Sequence, residues 1–261
     1  VFLLGLDLAH VLLLAGSGLL AGIVNALAGG GTFFTFSALI AAGLPPIVAN
    51  ATSAVAVTPA NVASTFAYRR EIGENLARFG WLSFVSLLGG AAGAVLLTRI
   101  DNVSFRAAVP WLLLFATVLF AASPWIVRLA RRLSRPDGGR SPLTVAVGLL
   151  IQAATSVYGG FFGAGMGIVM LASLAITEGG DFHRINAAKN LCATLIQLSA
   201  VALFVWAGLV SWREAAIVGV AAVGGGYAAV AFGRRIPPAV IRLMVIAVGV
   251  LLTLYFFLEG R

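Results

Sequence analysis

Charge is what this chain has least of. Only 10% of its 261 residues are Asp, Glu, Lys or Arg, where a soluble domain carries about 25%, so the chain could not cover a water-facing surface. Cysteine occurs once, as Cys192 inside an apolar run, which excludes an internal disulfide and a cysteine metal site; packing is its expected role. Lysine also occurs once, at Lys189. Carboxylates are missing from the span interiors apart from Asp7 near the first helix start, so no intramembrane proton relay is visible. His10 and His183 show no ligand spacing, and no His/Glu metal motif, serine–histidine pairing or phosphate loop occurs. No catalytic residue, metal or cofactor is expected, and the chain reads as a protein other than an enzyme.

What is there is hydrocarbon. Apolar residues make up 61% of the chain, in runs of roughly 20 residues that suit a ~30 Å bilayer core. Examples are Val11–Leu27, Trp81–Leu97, Trp111–Val127, Leu191–Val210, Ala215–Ala231 and Val240–Leu258. Lipid-facing strands would alternate in character and these runs do not, so helix is the element. Ten segments are expected: 2–28, 32–43, 46–68, 80–98 and 103–127, then 142–163, 167–178, 183–208, 213–233 and 238–258. The punctuation agrees with these cuts. Gly43-Leu44-Pro45-Pro46 stops one helix and starts the next, and Pro142 and Pro237-Pro238 sit where first turns tolerate proline. Pro59, Pro110 and Pro124 fall inside spans, where they should kink them. The opening residues lack a basic region, so no cleaved signal peptide is expected.

The net charge of +8 comes from arginines set between apolar runs, which suits anionic lipid rather than nucleic acid. Residues 1–127 form the first expected repeat, 128–141 a linker with Pro136-Asp137-Gly138-Gly139, and 142–261 the second repeat. With the arginine-rich linker in the cytoplasm and all ten segments crossing, twelve arginines fall inside and four (Arg99, Arg106, Arg213, Arg261) outside. If the two short segments do not cross, the split is ten to six. The positive-inside rule prefers the first arrangement. Five crossings per half is an odd number, so the halves would be inverted. The expected fold is therefore an all-α integral membrane protein of two inverted five-segment repeats, with about 8 full spans and 2 short broken or re-entrant helices.

The duplication is legible directly. At a constant offset of 136, Ala28-Gly29-Gly30-Gly31 answers Ala164-Gly165-Met166-Gly167, Asn50-Ala51 answers Asn186-Ala187, Thr58 answers Thr194, and Gly89-Gly90 answers Gly225-Gly226. Two repeats with a site between them is how many secondary transporters are built. The glycine breaks Gly29-Gly30-Gly31 and Gly163-Ala164-Gly165-Met166-Gly167 each end one helix and open a short one. Glycine there permits φ > 0 and lets a ligand approach backbone N–H groups, while the helix N-terminus offers partial positive charge. For mid-helix Gly89-Gly90, Gly93 and Gly224-Gly225-Gly226 the expected role is close helix packing.

Lys189, about six residues into its segment, either meets a substrate anion or snorkels to the interface. Its repeat mate Ser53 offers a neutral hydroxyl. Asn50 and Asn186 are candidates to bind an anion or to cap broken helix backbone, with Thr32, Thr52 and Asn190 weaker candidates of the same kind. Asn25, Asn61 and Gln197 are expected to make interhelical hydrogen bonds. Thr58-Pro59 reads as a kink whose threonine satisfies freed backbone.

With these residues in hand, the chain resembles the TauE/SafE family of sulfite exporters, also called the four-toluene-sulfonate uptake (TSUP) family. The resemblance is carried by Gly22-Ile23-Val24-Asn25-Ala26-Leu27-Ala28-Gly29-Gly30-Gly31-Thr32 and by Gly43-Leu44-Pro45-Pro46 followed by Ala49-Asn50-Ala51-Thr52-Ser53. In the second half it is carried by Tyr158-Gly159-Gly160-Phe161-Phe162-Gly163-Ala164-Gly165-Met166-Gly167 and Ala188-Lys189-Asn190-Leu191. It implies a multi-pass carrier of sulfite, sulfonates or related organosulfur anions in a bacterial inner membrane, with the two glycine motifs at the substrate site. Met166 stands where a small residue is common, which would narrow or desolvate that cradle. Alternating access with export is the expected mechanism. An anion channel, or a carrier of non-sulfur organic anions, is the alternative. The expected partners are the small anion and membrane lipid, and glycine-rich spans leave room for a homodimer.

Overall fold

The computed structural model describes residues 2–3, 6–27, 30–133, 142–178, 182–232 and 238–259. A short antiparallel pair, β1 (Phe2–Leu3) with β2 (Leu6–Asp7), leads into helices. The first half holds α1 (Leu8–Leu27), α2 (Thr32–Ala41), α3 (Pro46–Ala67), α4 (Arg69–Glu74), α5 (Leu76–Arg99) and α6 (Asn102–Leu133). The second holds α7 (Pro142–Phe161), α8 (Met166–Glu178), α9 (Phe182–Trp206), α10 (Trp212–Phe232) and α11 (Pro238–Glu259). The fold is that of an all-α membrane protein.

Local chemistry sets these boundaries. Gly43 takes φ 89°, and the N–H of Leu44 reaches back to the carbonyl of Leu39 at 3.1 Å, a glycine-closed helix end that lets α3 begin at Pro46. Asp101 opens α6: its Oδ1 accepts from the Ser104 N–H at 2.7 Å and its Oδ2 from the Ser104 hydroxyl at 3.1 Å. Three boundaries differ from expectation. The first segment, expected as helix from residue 2, opens instead as the β1–β2 pair, and its helix starts at Leu8. The polar stretch before residue 80 is not a loop, because Arg69–Glu74 forms α4 with an Arg70–Glu74 ion pair one turn apart, and α5 starts at Leu76. Helix α6 runs past its expected end at 127 to Leu133, since Arg and Leu are good helix formers and no glycine or proline intervenes before Pro136. The rest of the expected linker, 134–141, lies outside the described residues.

Four helices, among the described residues, hold stretches long and apolar enough to cross a bilayer: Leu8–Asn25, Leu76–Arg99, Asn102–Leu129 and His183–Trp206. Helices α2 and α8, with 10 and 13 residues, measure about 15 and 20 Å at ~1.5 Å per residue, short of a ~30 Å core.

The helices gather into two compact units, and each draws on both sequence halves. The first comprises Val1–Ala60, Leu97–Val118 and Phe204–Arg261. Within it α1 crosses α10 at backbone distance: a methyl group on Gly22 would stand 2.0 Å from the Ala222 carbonyl oxygen, and one on Gly225 would stand 2.1 Å from that of Leu19. Phe36 of α2 stacks on Phe256 of α11 with centroids 6.3 Å apart, and Phe33, Leu39, Phe105 and Leu113 of the same unit are fully buried.

The second unit comprises Asn61–Leu96 and Leu119–Leu203. Here α5 crosses α7, with a methyl on Gly93 falling 2.0 Å from the Val157 carbonyl oxygen and one on Gly160 falling 2.0 Å from that of Gly90. Both crossings thus pair the first helix of one sequence half with the third long helix of the other. Gly89, Gly90, Gly93 and Gly225 do the packing expected of them, whereas Gly224 and Gly226 have open space around them. Phe79, Met170, Ile185, Cys192 and Ile196 form the buried core of this unit, and Cys192 is a packing residue within it. Gln152 is buried there too. Its Nε2 donates to Ser86 Oγ at 2.8 Å, while its Oε1 finds no donor among the described residues.

Candidate substrate site

The first break is built around a side chain assigned above only to helix contacts. Asn25, near the end of α1, turns its Oδ1 onto the N–H groups of Gly30 at 3.1 Å and Gly31 at 2.9 Å. Gly29 lies outside the described residues. Gly31 precedes α2 with φ −57°, so the left-handed turn expected of this motif is not made at Gly31. Thr32, half-buried, opens α2. One turn on, Thr35 is fully buried and its Oγ1 lies 3.3 Å from the Thr32 carbonyl and 2.5 Å from Ser53 Oγ. Ser53 is therefore already engaged with α2.

Asn50, Thr52 and Ser53 are all buried on α3. Thr52 Oγ1 accepts from the backbone N–H of Ser211 at 3.0 Å. Ser211 begins the pattern Ser211-Trp212-Arg213-Glu214 at the head of α10, and its hydroxyl donates to Glu214 Oε2. In a reciprocal capping box the glutamate would take the serine N–H; here Thr52 takes it. Glu214 is buried. A buried carboxylate thus sits in the first turn of α10, a residue that the reading of the span interiors did not single out. The signal that could have found it is the Ser-x-x-Glu spacing.

The second break lies in the other unit and is pinned by opposite chemistry. Gly163 and Gly165 take φ 80° and 79°, the left-handed region that only glycine adopts without strain. The Tyr158 hydroxyl donates to the Ala164 carbonyl at 2.6 Å. The N–H of Met166 donates to Gly163 O at 3.3 Å and that of Ile168 to Gly165 O at 3.0 Å. Among the described residues the N–H groups of Gly165 and Gly167 meet no acceptor. Met166 turns its side chain into the core cluster over Gly159, where an unbranched thioether fills the gap left by glycine; it packs α8 against α7 and α9.

On α9, Asn186 is buried and Lys189 and Asn190 are half-buried. The Asn190 carbonyl accepts from the Thr65 hydroxyl at 2.9 Å, and Thr65 lies 2.7 Å from Thr194 Oγ1. Lys189 takes part in no ion pair among the described residues. The two threonines that correspond at the offset of 136 differ here: Thr194 bridges to the Asn61 carbonyl at 3.1 Å, while Thr58 bonds its own helix at Ala54 O at 2.8 Å. That carbonyl is one residue short of the one Pro59 frees.

The expected site residues therefore fall into two groups. Gly30, Gly31, Thr32, Asn50, Thr52 and Ser53 belong to the first unit, and Gly163, Gly165, Gly167, Asn186, Lys189 and Asn190 to the second. Each group joins a glycine break to the amino-terminal half of a long helix.

A profile of the sulfite exporter TauE/SafE family matches residues 14–256, nearly the whole chain. The chain belongs to the TauE/SafE family. Relatives are named as probable membrane transporters. A probable membrane transporter protein of Haemophilus influenzae is 27% identical over 210 residues, covering 80% of this chain and 79% of its own. A probable membrane transporter protein, ORF9, of Sinorhizobium is 25% identical over 227 residues, covering 85% and 84%. The probable membrane transporter protein YfcA of Escherichia coli is 24% identical over 194 residues, covering 74% and 70%. No solved structure matches. This TauE/SafE member is a multi-pass membrane transporter and not an enzyme.

Proposed function

We propose that the chain exports a small sulfur-containing anion, such as sulfite or a sulfonate, by alternating access across a bacterial inner membrane, with the arginine-rich linker in the cytoplasm and the repeats inverted. The observation that carries this reading is the second glycine break. There, among the described residues, Gly165 and Gly167 present N–H groups without acceptors at the head of α8, and Lys189, in the same unit, has no carboxylate partner. Oriented N–H groups at a helix start favour an oxyanion, and a cation inside a span normally has a partner or a task. The family's description as sulfite exporters supports the sulfur class. An inside-negative potential moves one negative charge outward with about 2.3 kcal/mol per 100 mV, so export needs no coupling ion.

The test is flux of sulfite, thiosulfate and small sulfonates into liposomes bearing the purified protein. Saturable, potential-sensitive flux of one of them, lost in Gly167→Leu, is the expected result. Flux without saturation would make the protein a channel. Flux confined to carboxylates would remove the sulfur assignment.

A further inference from the structure

The two breaks are related by the repeat, yet what holds each one in shape differs in sign. Asn25 supplies an acceptor, and that acceptor consumes the N–H groups of Gly30 and Gly31 at 3.1 and 2.9 Å. Tyr158 supplies a donor, and that donor consumes a carbonyl, Ala164 O at 2.6 Å. The first anchor therefore fills the seat that consecutive N–H groups make for an anion; at the second break the Met166 N–H turns to Gly163 O at 3.3 Å, and the N–H groups of Gly165 and Gly167 stay open among the described residues. At the offset of 136, Gly31 answers Gly167, whose N–H has no acceptor among the described residues. The residue answering Asn25 is Phe161, which has no acceptor to offer. Asn25 reaches forward five and six positions, and the same reach from position 161 ends at Met166 and Gly167. The second break thus lacks the side-chain acceptor that Asn25 supplies to the first: the Met166 N–H turns to Gly163 O at 3.3 Å, and the Gly167 N–H is left without an acceptor among the described residues.

We infer that the breaks are functionally unequal: Asn25 occupies the anion seat of the first with its own amide oxygen, and the substrate's oxygens are held at the second alone. The inference rests on the proposed anion-transport reading and assigns Asn25 a task that no motif names. It acts as a built-in ligand that stabilises the first break and limits the chain to one bound anion. The amide is neutral, so it satisfies the two N–H groups without placing a negative charge beside them.

The experiment compares Asn25→Asp, Asn25→Ala and Phe161→Asn with the parent, using sulfite as the probe. Flux in liposomes is measured together with equilibrium binding of radiolabelled sulfite to the detergent-solubilised protein. Asn25→Asp keeps the acceptor geometry and adds a charge. If the first seat is not used by substrate, KM stays within about threefold of the parent, whereas a carboxylate sharing a seat with the anion would raise it more than about tenfold. Asn25→Ala opens the first seat, so binding stoichiometry rises from one towards two. Phe161→Asn places the missing acceptor before the second seat and raises KM by about tenfold, the scale of one displaced charge-assisted hydrogen bond.

A collapse of transport in well-folded Asn25→Asp, with Phe161→Asn unaffected, would overturn the inference while leaving the proposed function standing. Absence of sulfite flux in the parent would instead remove the proposed function, and the inference with it. Should Asn25→Ala fail to fold, Asn25→Asp and Phe161→Asn still decide.

Discussion

The backbone N–H of Ser211 donates to the side chain of Thr52 across 3.0 Å, joining residues 159 positions apart. Thr52 is fully buried, so its first task in this conformation is to receive that bond. The Thr52→Val variant leaves a buried N–H without an acceptor, which costs about 1–3 kcal/mol unless Glu214 swings back to close its own capping box. Thr52→Val alone should lower the thermal midpoint in detergent, Thr52→Ser should not, and Thr52→Val with Glu214→Ala should fall further than the two single changes add. Additive losses would show that Glu214 is no reserve partner.

Lys189 carries the one lysine charge of the chain. If it holds substrate, Lys189→Ala should raise KM for the transported anion by about 10- to 100-fold, the scale of one charged hydrogen bond of ~1.5–3 kcal/mol. Lys189→Arg should retain most of the affinity. Unchanged kinetics in Lys189→Ala would assign the side chain to the interface.

Backbone-distance crossings make sharp predictions for glycine. Gly93→Ala puts a methyl 2.0 Å from a carbonyl oxygen that belongs to another helix, whereas Gly16→Ala meets nothing within 4 Å. The first should destabilise the second unit by at least about 1–3 kcal/mol, as overpacking does. The second should be neutral or slightly stabilising, since alanine is the better helix former. Unfolding midpoints in one detergent compare them directly.

Asp101, exposed at the head of α6, has its carboxyl held below the usual 3.8 chiefly by the Ser104 backbone N–H, with the Ser104 hydroxyl adding to it. A depressed acid stabilises the fold when ionised. Its contribution is present at neutral pH, begins to fade as pH drops through 3.8, and is gone below the folded-state value. The Asp101→Asn protein should be less pH-sensitive than the parent across that window, and Asp101→Ala should be less stable at pH 7. Parallel pH profiles for parent and Asp101→Asn would contradict the cap.

How much of this was legible beforehand follows from range. The glycine stop at Gly43 and the proline start at Pro46 are written in adjacent residues, because each acts through its own φ and its own N–H. Both short helices could be placed from the glycine motifs ahead of them. The run from Arg69 to Glu74 was misjudged because it is polar, and polarity alone does not forbid a helix held by an ion pair one turn apart. At the site, Gly163 and Gly165 announced left-handed turns that the structure makes. Asn25 was visible as a polar residue in an apolar run, but its task depended on where the N–H groups of Gly30 and Gly31 come to lie.

The sequence by itself determined that the chain is helical and membrane-embedded, and that each half contains a glycine break before a short helix. Span length, hydropathy and backbone permissiveness are local quantities, and lipid leaves helix as the way to satisfy every N–H in a single segment. Only the tertiary structure decided that α1 crosses α10 and α5 crosses α7, that Ser211 takes Thr52, and that Asn25 caps one break while Tyr158 pins the other. In lipid, apolar burial does not select partners among equally greasy helices. The choice falls to close backbone fit and a few polar bonds between residues far apart in the chain.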